Sequence, residues 1–111
     1  MFRNSRDTET LQSGDVLFRE GETGDVMFAV AEGKVELHHG GTVIETIGPG
    51  GILGEMALID AGPRSATAQA ATEALVVRVD KEHFTYLVQE HPTFALQVMT
   101  VMAERIRRAN G

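Results

Sequence analysis

GDVLFREGETGDVMFAVAEGKVELHHGGTVIETIG runs from Gly14 to Gly48. Glycine cuts this stretch into short pieces, and within each piece apolar residues fall at alternate positions. Val16 and Phe18 alternate in the first piece, Val26, Phe28 and Val30 in the second, and Val35 and Leu37 in the third. TVIETIG (Thr42–Gly48) is rich in β-branched residues. Successive side chains of an extended chain point to opposite faces, so this alternation marks strands with one buried side. Several short strands with Gly and Asp between them indicate an antiparallel sandwich or barrel. The paired glycines of HHGGTV predict a hairpin turn, because glycine adopts positive φ without a steric penalty. Beyond Gly48 the same rhythm returns in SATAQAA (Ser65–Ala71) and ALVVRVD (Ala74–Asp80).

After Asp80 the period changes. Asp80 is placed to cap a helix that carries Phe84, Leu87 and Val88 on one face. Pro92 suits the first turn of a second helix, which presents Phe94, Val98, Val101 and Met102. An adjoining stripe holds Leu96, Met99, Ala103 and Ile106. So broad an apolar band either packs entirely on the barrel or leaves a part for a partner chain, and the sequence favours neither. Met1–Leu11 is expected to be a loop or a frayed short helix. The expected layout is one domain over residues 1–111: an N-terminal segment (1–11), a β-roll or jelly-roll-like barrel (12–80), and two C-terminal helices (81–109).

Bulk properties narrow the function. The 111 residues suit one compact domain, and the 42% hydrophobic fraction supports a small core. No run of about eighteen apolar residues occurs, and the polar MFRNSRDTET start has no apolar signal core, so a cytoplasmic protein is expected. Without cysteine there are no disulfides, thiol nucleophiles or cysteine-ligated metal sites. A net charge of −6 is a poor electrostatic match for nucleic acid. Arg105, Arg107 and Arg108 are better explained as cations offsetting a helix dipole at its C-terminal end. No helix-turn-helix, catalytic domain or channel is expected in the chain.

The chemistry concentrates in GEMALIDAGPRSATAQA (Gly54–Ala70). EMALID is long enough for one or two helical turns when docked, and its start would offer the N–H groups of Glu55, Met56 and Ala57 to an anion. Gly54 lets a ligand come close to the backbone. Arg64 supplies a planar cation, the natural bidentate partner of a phosphate, and Ser65 and Ala66 add a hydroxyl and an N–H. Glu55 does not belong against a phosphate, so it calls for a neutral donor such as a sugar hydroxyl. An anion and a hydroxyl on one small molecule describe a ribose phosphate. Ala66, Ala68 and Ala70 share a strand face and either leave space inside the barrel or pack closely against a helix. Taken singly, Arg64 reads as a solvated turn residue and Glu55 as a helix-start acid. Their joint placement beside Gly54 favours a site.

GEMALIDAGPRSATA resembles the phosphate-binding cassette of the cyclic nucleotide-binding domain family, found in catabolite-activator-like proteins and in cyclic-nucleotide-dependent kinases and channels. GDVLFREGETGDVMFAVAEGKVEL resembles that family's early strands, with Gly21, Gly24, Asp25 and Gly33 at its turns. The likeness extends from about Leu11 to Arg108. It implies a β-roll that holds a cyclic mononucleotide, with Glu55 on the ribose 2′-hydroxyl and Arg64 on the cyclic phosphate. Gly54 and Met56 would offer backbone contacts, and Ser65 and Ala66 would complete the phosphate cradle. Leu53 stands where the family often has an aromatic residue. A hydroxyl residue after the arginine, here Ser65, occurs in members responsive to either nucleotide; the bacterial character of the sequence favours cyclic AMP over cyclic GMP. The base-capping residue would come from the last helix, where Met102, Arg105 and Ile106 are candidates, or from a partner chain. The resemblance thus implies a sensor that needs no cofactor or metal, signals through its C-terminal helix, and meets a second copy or an effector protein there.

Two rivals remain at this level. A cupin-like enzyme would need several histidines converging on one metal, yet His38 and His39 are neighbours on a strand and point to opposite faces, while His83 and His91 lie on or between the helices. A domain of the same fold that binds no ligand, kept for dimerisation or docking, would have no use for Glu55 and Arg64 together.

Overall fold

The computed structural model describes residues 7–110. In chain order its elements are β1 (Thr8–Leu11), β2 (Val16–Phe18), β3 (Thr23–Gly24), β4 (Met27–Glu32), β5 (Val35–His39), β6 (Thr42–Ile47) and β7 (Ile52–Leu53), then helix α1 (Met56–Ile59). There follow β8 (Gly62–Pro63), β9 (Thr67–Ala70), β10 (Ala74–Val79), α2 (Lys81–Glu90) and α3 (Thr93–Asn110). One sheet has the order β1-β10-β4-β7 and the other β2-β9-β5-β6, with β3 and β8 paired as a small ribbon. Every pairing is antiparallel. The two sheets are separate ladders, so the roll stays open along its edges instead of closing into a barrel.

The alternation seen in the sequence fills the space between the sheets. Phe18, Phe28, Val30, Val35, Leu37 and Val76 form the centre of that core, with Ala68 and Ala70 packed into it. A second core lies on the outer side of the β4–β10 sheet. There Met27, Ala29, Val77 and Val79 meet Leu87 of α2 and Phe94 and Val98 of α3. β4 and β10 are therefore buried on both faces, which explains why VMFAV is apolar without a break. Phe84 and Phe94 hold the two helices together, ring centroids 5.7 Å apart.

Local chemistry sets the boundaries. Gly40 and Gly41 both take positive φ (58° and 81°) between β5 and β6, a hairpin geometry closed to most side chains. Asp80 caps α2, its Oδ1 accepting from the His83 N–H at 2.8 Å. α3 begins directly after Pro92, whose carbonyl accepts from the Ala95 N–H at 3.4 Å.

One expectation is corrected. Within the segment expected to be a loop or short helix, Thr8–Leu11 is a strand, pairing with β10 from Thr8↔Val77 to Leu11↔Ala74. It covers the open edge of β10 and buries only Leu11, so its side chains carry no alternation to announce it. Residues 1–6 of that segment lie outside the described residues. On α3, Phe94 and Val98 are buried and Val101 and Met102 pack against the outer core. Leu96, Met99 and Ile106 of the adjoining stripe are exposed.

Candidate functional site

The loop from β7 to β9 folds back across one end of the roll. Gly54 sits at φ +72°, which turns the chain into α1, and a Cβ there would lie 2.7 Å from Nη1 of Arg64. Helix α1 is a single turn with Ala57 and Leu58 buried. The short ribbon of β3 and β8 then fixes the approach to Arg64. The Arg64 N–H donates to the Glu22 carbonyl at 2.7 Å, and the Arg64 carbonyl accepts from the Gly21 N–H at 2.8 Å.

The Arg64 side chain points inward and is 8% exposed. Nη2 donates to the Val26 carbonyl at 2.8 Å and Nη1 to the Gly54 carbonyl at 3.3 Å. Its Cζ lies 4.3 Å from the centroid of Phe18 and 5.9 Å from that of Phe28, within cation–π range of both. A Cβ on Gly24 would collide with the guanidinium, so a side chain there would displace Arg64 from this position. Among the described residues no carboxylate forms an ion pair with Arg64. Burial pulls its pKa below the ordinary arginine value, and the charges of Asp25, Glu22 and Glu55 oppose that pull. The direct contacts of the guanidinium are thus carbonyls and ring faces, surroundings in which a buried cation gains from an anionic partner.

Glu55 is the other buried charge among the described residues, 2% exposed. Although it stands at the N-cap of α1, its side chain makes no capping bond. It accepts instead from Nη1 of Arg105, which reaches in from α3. Arg105 also donates from Nε and Nη2 to the two oxygens of Glu45, each at 3.1 Å, and from Nη2 to the Ile52 carbonyl at 2.8 Å. Burial alone would lower the pKa of Arg105, but its bonds to Glu45 and the charge of Glu55 outweigh this and hold it above the ordinary value.

Between these groups lies a cavity of about 270 Å³. Its volume is just under the range of about 300–1,000 Å³ usual for small-molecule pockets. Gly54, Glu55, Met56 and Ala57 line one side, and Arg64, Ser65 and Ala66 another. The structure thus brings all seven candidate residues to one cavity. Phe18 and Leu37 form its apolar floor, and Arg105 closes it from α3. Ser65 is exposed and Ala66 buried. Of the N–H groups expected at the start of α1, that of Ala57 already donates to the Gly54 carbonyl at 3.2 Å.

Sequence reasoning missed two parts. In the sequence Phe18 reads only as a strand residue, whereas it lies under the guanidinium of Arg64. Glu45 was not singled out, since nothing local marks a lone acid in TVIETI. Among the three residues considered on the last helix, Arg105 alone lines the cavity; Met102 packs in the outer core and Ile106 is 51% exposed. The histidines engage separately: His38 Nε2 lies 3.4 Å from Glu36 and His39 Nδ1 3.3 Å from Glu20. No cluster able to hold a metal exists among the described residues.

Comparison with known proteins shows the family. Residues 8–91 match the family described as the cyclic nucleotide-binding domain. The chain belongs to that family. Among its relatives is a CRP-like cAMP-activated global transcriptional regulator of Mycobacterium tuberculosis, 30% identical over 103 residues, covering 88% of this chain and 46% of the relative. The cyclic AMP receptor protein of Thermus thermophilus is 34% identical over 102 residues, covering 87% of this chain and 47% of the relative. The crystal structure of the Thermus thermophilus catabolite activator protein superposes with a TM-score of 0.78 at 32% identity, over 93% of this chain and 51% of that one. The chain therefore spans about half the length of the curated relatives it matches. The family match takes in this cyclic nucleotide-binding domain's roll, cassette and α2, and ends at the residue before Pro92. α3, with Arg105, lies beyond it. No helix among the described residues is long and apolar enough to cross a membrane.

Proposed function

We propose that this chain, as a single domain over residues 1–111, binds a cyclic mononucleotide as a regulatory sensor without catalysing any reaction. The observation that carries the reading is Arg64: a buried guanidinium that pairs with no carboxylate among the described residues and faces a cavity also lined by Glu55. In this reading Arg64 takes the cyclic phosphate, aided by Ser65 and the backbone of Ala66. Glu55 takes the ribose 2′-hydroxyl, and Gly54, Met56 and Ala57 supply close backbone along the sugar. Phe18, Leu37 and the exposed Met56 give the base an apolar surface. Cyclic AMP is preferred over cyclic GMP, a choice supported by the relatives described as cAMP-activated and as a cyclic AMP receptor.

Binding is passed on through α3, because Arg105 ties that helix to the sugar-binding carboxylate. A helix that contacts the ligand in one arrangement and not in the other supplies the differential affinity that a switch requires. The exposed Leu96, Met99 and Ile106 give α3 a surface for a second copy or an effector protein. The acidic chain meets neither nucleic acid nor membrane directly, and works in the cytoplasm. Calorimetry with both cyclic nucleotides, alongside the mass in solution, tests this. Binding of cyclic AMP with the weaker uptake of cyclic GMP is expected; absence of heat from both at high micromolar concentration overturns the sensor in favour of a docking domain that binds no ligand.

A further inference from the structure

Glu45 lies on β6, outside the cavity, in a groove between that strand and α3. Its carboxylate binds Nε and Nη2 of Arg105 with two parallel bonds of 3.1 Å, the bidentate geometry that fixes the plane of a guanidinium. Arg108, one turn further along the same helix face, adds a third bond to it at 2.9 Å. The Ile52 carbonyl holds the same Nη2 from the β7 side. With that plane fixed, Nη1 is left aimed at Glu55. Of the five N–H donors of Arg105, these contacts engage four, and the last remains on the Nη1 that faces the cavity.

Glu55 needs this support. It is almost wholly buried, and an anion seated on Arg64 would bring a second negative charge alongside it. An arginine free to move among rotamers would neutralise that charge poorly, because ordering its long side chain carries an entropy cost. Glu45 removes that cost in advance. Burial raises the pKa of Glu45, but the bonds and charges of Arg105 and Arg108 outweigh it and keep the carboxylate ionised below its usual range.

Resting on the cyclic-nucleotide reading, we propose that Glu45 is a positioning residue for sugar recognition: through Arg105 it holds Glu55 oriented for the ribose hydroxyl. It also anchors the last turns of α3 to the rim of the site. The clasp is read from the contacts of this chain.

The test compares the unaltered chain with Glu45→Gln, using cyclic AMP and its 2′-deoxy analogue as probes. Glu45→Gln should weaken cyclic AMP roughly three- to thirtyfold, within the span of coupling between groups in one network. It should weaken the deoxy analogue far less, with thermal unfolding still cooperative. Equal losses for both nucleotides, or none, overturn the proposal. A readout that needs no nucleotide separates this from the underlying reading. In the ligand-free chain the Arg105 Nε–H should give a slowly exchanging NMR signal that Glu45→Gln abolishes and Glu55→Gln shifts. If the unaltered chain takes up neither nucleotide, the sensor reading falls and the sugar role with it, whereas the clasp is then judged on that signal. If the signal is indifferent to both substitutions, the clasp does not exist.

Discussion

Two arginines face the same cavity and are held in opposite ways. Arg64, on the cassette side, rests on two carbonyls and the ring of Phe18 and pairs with no carboxylate among the described residues. Arg105, on the helix side, gives four bonds to Glu45, Glu55 and Ile52. The first is a cation held ready in an apolar wall; the second is a cation already satisfied. A ligand anion gains most at the first, where it replaces nothing and relieves a desolvated charge. At the second it can only redistribute existing bonds. Affinity should therefore reside with Arg64 and communication with Arg105.

Arg64→Ala is the severest way to break this contrast. It should weaken cyclic nucleotide binding by about 1.5–3 kcal/mol or more, the loss expected for a charge-assisted bond to a buried partner. A titration showing unchanged affinity would mean that the phosphate sits elsewhere. Glu55→Ala comes next. It should weaken cyclic AMP by about 1.5 kcal/mol, the lower end for a hydrogen bond to a charged acceptor, and its effect should shrink for the 2′-deoxy analogue. A full Glu55 effect on the analogue would contradict the hydroxyl assignment. Gly24→Ala sharpens the comparison without removing a charged group. Its Cβ collides with the guanidinium and must push Arg64 from its seat. Affinity should fall by about 1 kcal/mol, the scale of a displaced rotamer. Arg105 and the α3 contacts should stay unchanged, which chemical shifts along the helix would report.

The same contrast explains what the sequence revealed. Gly54, Glu55, Arg64 and Ser65 lie within twelve consecutive residues (54–65), so the cassette wall could be read as a local pattern. The helix wall could not. Arg105 meets Glu45 across 60 positions and Glu55 across 50, and a contact at such separation leaves no trace in spacing or periodicity. The strands of the inner core were legible because burial on one face enforces alternation. β1 was not, because it attaches by backbone bonds and buries only Leu11. β4 was legible as a strand, but its double-sided burial became clear only once α2 and α3 were seen to cover the outer face.

The smallest effect expected is also the one that isolates the helix wall from the ligand. Glu45 has its pKa lowered in the folded chain: burial opposes the shift, but Arg105 and Arg108 overcome it. A carboxylate with a depressed folded pKa adds stability above its unfolded value of about 4.3, and that stability disappears as pH falls through the lower folded value. Glu45→Gln should therefore reduce stability at pH 7 by roughly 1 kcal/mol, near the upper end for a partly exposed ion pair. The difference from the unaltered chain should hold down to about pH 5 and close at lower pH, where Glu45 is protonated in both states. Thermal melts of both chains at pH 7 and at successively lower pH measure it. A gap that stays constant as pH falls, for as long as both chains remain folded, would mean that Glu45 contributes packing and not charge to holding α3 against the roll.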